Sequence, residues 1–351
     1  SVYTHSGYLN GDSSTSTSGT VTWTLSGTLS TAGYATVGTH DIIYSSGLTN
    51  SLGYGFSDNA GSTDELTVNQ RSITISGITA TNKVYDANTT ATVDTTGAAG
   101  WLAGDTVTVS ASGLFDNKNV GTGKTVNLTS SYGGGDLGNY SITDQATTTA
   151  NITQRLITIS GITAANKVYD ANTTATVDTT SAAGWLAGDA VTVSASGLFE
   201  NKDVGTGKTV NLTSSYGGAD AGNYSITNQA TTTADITQRA ITISGITATN
   251  KVYDTNTTAT VDTTGAAGWI VGDTVTVSAS GLFDNKNVGT GKTVTLTSSY
   301  GGTDLGNYSI TNQATTTADI TQRPINISGI TAANKVYDAN RTATVDTTGA
   351  A

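Results

Sequence analysis

Tyr85 and Asp86 sit inside "ITATNKVYDANTTATV" at 78–93, and nearly the same sixteen letters return at 162–177, 246–261 and 330–345. A phenol beside a carboxylate could form a ligand platform. It could equally be an architectural part, with the ring buried, its hydroxyl bonded, and Asp86 and Asn88 capping a turn. The pair recurs as Tyr169-Asp170, Tyr253-Asp254 and Tyr337-Asp338, and Trp101, Trp185 and Trp269 keep the same spacing. Identical use in every copy suits a folding part better than a site.

Other chemistry is sparse. The turns "FDNKNVGTG", "GGGDLGNY" and "AGDT" offer oxygen ligands for a structural Ca²⁺, with Asp116, Asn117, Asn119 and Asp136 as the candidates. No EF-hand pattern frames them, and Lys118 inside the first turn works against a tight site. An autocatalytic Lys–Asn isopeptide bond would need Lys, Asn and a carboxylate buried together, and Lys83 or Lys124 could serve, although an exposed salt bridge is the simpler expectation for each. The histidines, His5 and His40, read as surface residues, and no Gly-x-Ser-x-Gly elbow, P-loop or His-Glu metal spacing occurs. "GTGK" at 121–124 lacks the full phosphate-loop spacing and reads as a hairpin turn. Without Cys there are no disulfides, thiolate metal sites or Cys nucleophiles. The expectation is a non-enzymatic chain without a catalytic or cofactor-binding residue. Asn88, Asn127, Asn139 and Asn151 head Asn-x-Ser/Thr sequons, which permit surface glycosylation without requiring it.

The elements that must position these residues follow from the period. Arg71, Arg155, Arg239 and Arg323 lie 84 residues apart, each after Gln. Units 72–155, 156–239 and 240–323 are complete, and the first two differ at only ten positions. Residues 1–71 read as a divergent unit lacking its opening strand: Val2-Tyr3 answers Val84-Tyr85, Trp23 answers Trp101, and "VNQR" answers "ITQR". Residues 324–351 start a further unit and stop inside it. A period of 84 exceeds any solenoid coil or propeller blade and suits a small domain with its own core.

Within a unit the apolar period is two. Ile73 and Ile75 share a face, and Gly77 shifts the phase before Ile78. Val107, Val109 and Ala111 alternate with Thr and Ser; Val126 and Leu128, Tyr140 and Ile142, Ala150 and Ile152 continue the pattern. The spacing predicts six or seven short strands per unit: an all-β, Ig-like sandwich, or a β-grasp-like sheet if 97–104 forms a helical turn. "NITQRLITIS" runs the last strand of one unit into the first of the next without a Gly/Ser linker, so the expected array is a stiff, elongated rod.

The net charge of −11 repels nucleic acid and anionic membranes, and no apolar run approaches the roughly 18–20 residues of a membrane span. The chain opens inside a patterned segment, without a signal peptide, and is expected to be an excerpt of something longer. An acidic, Cys-free, Thr/Asn/Gly-rich β-chain suits a bacterial surface protein.

"ITISGITATNKVYDANTTATV", "WLAGDTVTVSASGLFDNKNVGTGKTV" and "GNYSITDQATTTANITQR" together resemble the YDG-type repeat and the related MBG-type modules of large bacterial adhesins and filamentous-haemagglutinin-like exoproteins. Tyr85-Asp86, Gly104-Asp105, Val120-Gly121 and Gly138-Asn139-Tyr140 carry the resemblance over 72–351; within 1–71 only Val2-Tyr3, Tyr54 and 68–70 echo it. It implies export, a cell-surface or matrix location, and a part in adhesion, aggregation or biofilm. Such repeats serve as stalks whose main partners are neighbouring repeats. The rival expectations are modules that bind host or matrix glycans by avidity, and copies joined into a fibre by strand donation.

Overall fold

The computed structural model describes residues 6–58 and 64–351; Val2, Tyr3 and His5 lie outside the described residues. The chain is all-β, and three-residue 3₁₀ turns are the only helical elements among the described residues. It divides into two compact units: Ser1–Thr158 with Gly184–Thr192 and Tyr216–Thr227, and Ile159–Ala183 with Val193–Ser215 and Asn228–Ala351. The division passes through repeat 156–239.

In the first unit, Thr17–Leu25, Gly38–Asn50 and Glu65–Val68 form an antiparallel sheet that sets Trp23 opposite Tyr44. Repeat 72–155 follows as a sandwich. One layer is a five-stranded sheet in the order Lys83–Val84, Thr147–Thr153, Gly121–Gly133, Thr108–Phe115, Thr90–Ala91. Its long hairpin pairs Phe115 with Val126 and Thr108 with Gly133, so the inward alternation buries Phe115, Val126, Ala150 and Ile152. The other layer sets Arg71–Thr74 parallel to Tyr140–Thr143, with Ile73 opposite Ile142. Ile73, Ile75, Ile78, Val107 and Tyr140 form a buried cluster, and each such side chain contributes about 1.5–3 kcal/mol on leaving water. Gly77 makes the phase shift possible: its φ is +85°, and a Cβ there would lie 2.0 Å from the Gly97 carbonyl oxygen.

Repeat 72–155 carries nine strand segments rather than six or seven. The additional ones are two-residue pairings around the Tyr-Asp phrase: Thr79–Ala80 with Val93–Asp94 antiparallel, and Lys83–Val84 parallel to Thr147–Thr153. Parallel pairing of segments far apart in sequence leaves no trace in a period-two pattern. The 97–104 stretch makes turns and no helix, with the Ala98 N–H donating to the Thr95 carbonyl at 3.0 Å, so the β-grasp alternative is not needed.

The second unit repeats this architecture in 240–323, with the five-stranded order Lys251–Val252, Thr315–Thr321, Gly289–Gly301, Thr276–Phe283, Thr258–Ala259. Arg239–Thr242 again runs parallel to Tyr308–Thr311. One buried cluster runs without interruption from Tyr169, Phe199 and Val210 to Ile243, Phe283 and Ile320. In this unit, therefore, the core is not closed off within each repeat as expected, whereas the cluster around Ile73 and Tyr140 lies within 72–155. The Tyr169 ring, 0% exposed, fills the space where two repeats meet, and apolar packing passes through it. In 324–351, Thr331–Ala332 pairs with Val345–Asp346, while Ile325, Ile327, Val336 and Tyr337 are exposed.

Candidate functional site at the joints between repeats

The Tyr-Asp phrase does two separate jobs. Its local part is a loop closed around an ammonium: Lys83 Nζ donates to Asp86 Oδ1 at 2.7 Å, to the Asn88 carbonyl at 2.9 Å and Oδ1 at 3.0 Å, and to the Thr90 carbonyl at 3.0 Å. The Asn88 N–H returns to Asp86 Oδ1 and the Thr90 N–H to Asn88 Oδ1, which are the turn caps the sequence suggested. Lys83 also lies 5.5 Å from the Phe115 ring centroid. Partial burial pushes the Asp86 carboxyl up, but hydrogen bonds from Lys83 and the Asn88 N–H outweigh it and hold the group below its ordinary range. Asp170 and Lys167, Asp254 and Lys251, and Asp338 and Lys335 repeat the pair at 2.7–2.8 Å. The loop at Lys335 closes although Tyr337 beside it is 91% exposed, so it is a local structure.

The distant part is the tyrosine. Tyr85 is 0% exposed, and its hydroxyl donates to Asp189 Oδ2, in the following repeat, at 2.8 Å. Tyr224 donates to the same oxygen at 2.5 Å and packs edge-on against the Tyr85 ring with centroids 5.4 Å apart. Lys118 Nζ reaches Asp189 Oδ1 at 2.6 Å and Asp220 Oδ1 at 2.9 Å. Asn223 completes the contact by accepting from the Val120 N–H at 2.9 Å and donating to Asn119 Oδ1 at 3.2 Å. One module end thus presents a phenol, an ammonium and a backbone N–H; the facing end presents two carboxylates, an amide and a second phenol.

The second unit holds the same joint. Tyr169 and Tyr308 donate to Asp273 Oδ2, Lys202 bridges Asp273 at 2.7 Å and Asp304 at 2.9 Å, and the Val204 N–H donates to Asn307 at 2.8 Å. The joint ahead of 72–155 differs. There Ser30 Oγ donates to Asp105 Oδ1 at 2.7 Å and Thr31 Oγ1 to Asp136 Oδ2 at 2.6 Å, so hydroxyls stand in for the ammonium. The Val37 N–H keeps the Asn139 contact at 2.8 Å. A cavity of ≈110 Å³ remains beside Tyr34, Arg71 and Asp105, well under the roughly 300 Å³ at which small-molecule pockets begin.

The electrostatics are those of a clamp. Burial alone would raise the Asp189 carboxyl, but hydrogen bonds from Lys118, Tyr224 and Tyr85 hold it below the ordinary value. Its hydrogen bond to Asp189, then that to Asp220, pushes Lys118 well above the usual ammonium range. Burial and the neighbouring Asp189 push the Tyr224 hydroxyl up to about 12. The carboxylates converge, yet they do so on an ammonium and two phenols rather than on an open cleft.

Trp101 and Tyr132 are half-buried against the core cluster to which Tyr140 belongs; Trp185 and Trp269 are half-buried, Trp269 against the core of the second unit. Tyr253 is half-buried, and its N–H donates to the Thr321 carbonyl at 2.9 Å. The four Ca²⁺ candidates do not meet at one point. Asp116 and Asn117 gather around Lys124 Nζ, each at 2.8 Å, whereas Asn119 and Asp136 belong to two different joints. Among the described residues no group of three or more His, Asp or Glu is placed to hold a metal. His40 is corrected from a surface residue to a buried one, 3% exposed, with Nδ1 and Nε2 each 2.6 Å from the carbonyls of Ser26 and Thr36. Sequence reading passed over Asp189, Asp220, Asn223 and Tyr224 as joint residues. Their signal was the recurrence of Gly104-Asp105 and Gly138-Asn139-Tyr140, together with Lys118 returning as Lys202 and Lys286.

The YDG domain profile matches residues 69–150, 153–234 and 237–318. No curated protein matches the chain. Among solved structures, it is similar to Drosophila N-cadherin EC1-4 at 11% identity and a TM-score of 0.26, over 82% of this chain and 83% of that one. Drosophila N-cadherin EC1-3 follows at 8% identity and a TM-score of 0.19, over 64% and 91%. Scores this low carry no argument. No helix among the described residues is long and apolar enough to cross a membrane.

Proposed function

The chain belongs to the YDG-domain family, and from that membership and the joint geometry we propose that it is a non-enzymatic spacer in a secreted or cell-surface bacterial adhesin. Its repeats act by reach and stiffness. They hold an adhesive region away from the cell in attachment, aggregation or biofilm. The observation that carries this reading is the joint itself: Tyr85, Lys118 and Val120 of one repeat are fastened to Asp189, Asp220 and Asn223 of the next, and the set recurs from Tyr169 to Asn307. The same chemical fit at both complete joints resists hinge motion, which a reach-extending element requires. The partners of each repeat are then its neighbours.

The glycan-binding rival draws on the divergent first repeat, where Trp23 is 46% and Tyr34 50% exposed. Small-angle scattering separates the readings on chains lengthened by inserting further 84-residue units after residue 239. Maximum dimension should rise linearly with each unit. A sub-linear rise would overturn the spacer reading, and reproducible glycan-array hits lost in Trp23→Ala would favour the rival.

A further inference from the structure

Each ammonium at a complete joint lies against a carboxylate in an arrangement that goes beyond ion pairing. Lys118 Nζ is 2.6 Å from Asp189 Oδ1, while two phenols, Tyr85 and Tyr224, both donate to the other oxygen, Oδ2. The Asp189 side chain is 2% exposed, which keeps bulk water from its carbonyl carbon. Asp220 Oδ1 stands 2.9 Å from the same Nζ as a base, its Oδ2 fixed by the Ala190 N–H at 2.9 Å. A nucleophile, an electrophile, a pair of oxyanion donors and a proton acceptor therefore meet at one point. The second unit reproduces the set with Lys202, Asp273, Tyr169, Tyr308 and Asp304.

We propose that Lys118 with Asp189, and Lys202 with Asp273, condense into amide bonds that covalently cross-link consecutive repeats. The step conserves atoms and charge: one ammonium and one carboxylate become one amide and one water. One Nζ proton passes to Asp189 Oδ1 within the ion pair, which leaves a neutral amine and a carboxylic acid. The Nζ lone pair then attacks Asp189 Cγ, the negative charge gathers on Oδ2 between the two phenol hydroxyls, and Asp220 takes a second proton from Nζ. Asp220 returns its proton to the Oδ1 hydroxyl, which departs as water, and the Oδ2 carbonyl re-forms. No oxidant or cofactor enters. The resting pair is an ion pair at 2.6 Å, from which a proton must move before attack, so the reaction is a slow maturation rather than a fast step. The joint ahead of 72–155 cannot undergo it, because Ser30 and Thr31 occupy the place of the lysine.

Intact mass spectrometry of the denatured full chain tests the proposal. The expected result is a mass below the sequence value by two waters, one per complete joint. Proteolysis should give a branched peptide linking Lys118 to Asp189. The Lys118→Arg/Lys202→Arg variant keeps both charges but cannot form the amide, and its mass should equal the sequence value. Asp220→Ala should retain only the deficit of the second joint, with circular dichroism verifying the fold. A wild-type mass equal to the sequence value overturns the proposal. So does a deficit that survives in the double arginine variant, since it would then arise elsewhere.

Discussion

The hydroxyl of Tyr85 donates to Asp189 Oδ2 at 2.8 Å across 104 positions of sequence, and Tyr169 meets Asp273 at the same separation and distance. The repeat is 84 residues long, so this bond always reaches out of one unit into the next. It is the contact by which the Tyr-Asp phrase becomes a property of the array.

Removing that hydroxyl alone should loosen the joint without emptying the core. Tyr85→Phe is expected to cost about 1.5–3 kcal/mol, the worth of a hydrogen bond to a charged group. Tyr85→Ala, which also deletes a ring that is 0% exposed, should cost about 3–5 kcal/mol. Hydrogen exchange at the Asp189 and Ala190 amides reads both. Unchanged exchange in Tyr85→Ala would mean that the joint is not coupled to the core.

The clamp has a predictable pH window. Asp189 and Asp273 have depressed folded values, so their stabilisation is present above the ordinary carboxylate value of about 4 and is lost as pH falls through the lower folded value. Lys118 and Tyr224 are raised, so theirs is present below about 10 and is lost as pH rises through the higher folded values. The clamp's own contribution to thermal melting should therefore be flat between these limits and fall on both sides. In Asp189→Asn/Asp273→Asn the acid-side fall should be smaller; an undiminished fall would place the acid sensitivity elsewhere.

Backbone strain marks a stabilising exchange. Ala87, Ala171 and Thr255 have φ of +64°, +62° and +75°, at the place where the family's name spells glycine. The left-handed region costs an L-residue about 1–2 kcal/mol, and glycine returns part of that gain as chain entropy. Ala87→Gly should stabilise by about 0.5–1 kcal/mol, and β-branched Thr255→Gly by more. Denaturant titration of each variant checks the order.

The ammonium of Lys83 satisfies four oxygens of its loop. Lys83→Met keeps much of the stem but leaves Asp86 and Asn88 without that donor. A loss of about 2 kcal/mol is expected, between the cost of one unmade bond and that of several. Amide exchange at Asn88 and Thr90 should rise first, because the loop closes locally.

His40 supplies a pH dependence to the first repeat only. Hydrogen bonds to the Ser26 carbonyl, then to that of Thr36, raise its folded value above the ordinary 6.5. Its stabilisation is present below about 6.5 and is lost as pH rises through the raised value. An NMR titration should place its midpoint above that of a free histidine; a midpoint at or below it would show that the ring does not donate to both carbonyls.

The sequence by itself determined whatever is settled within a few residues. The period of 84, the inward alternation that buries Phe115, Val126 and Ile152, and the turn caps at Asp86 and Asn88 all follow from local chemistry. The loop of Lys335 makes the point, since it closes beside a tyrosine that has no core to enter. Only the tertiary structure decided that Arg71–Thr74 lies parallel to Tyr140–Thr143, that His40 is buried, and that Lys118 bridges Asp189 and Asp220. A side-chain pattern reports which face of a strand is apolar, but it carries no record of which distant strand or charge will stand opposite. That choice is made when the modules close on one another and each buried polar group must find a partner.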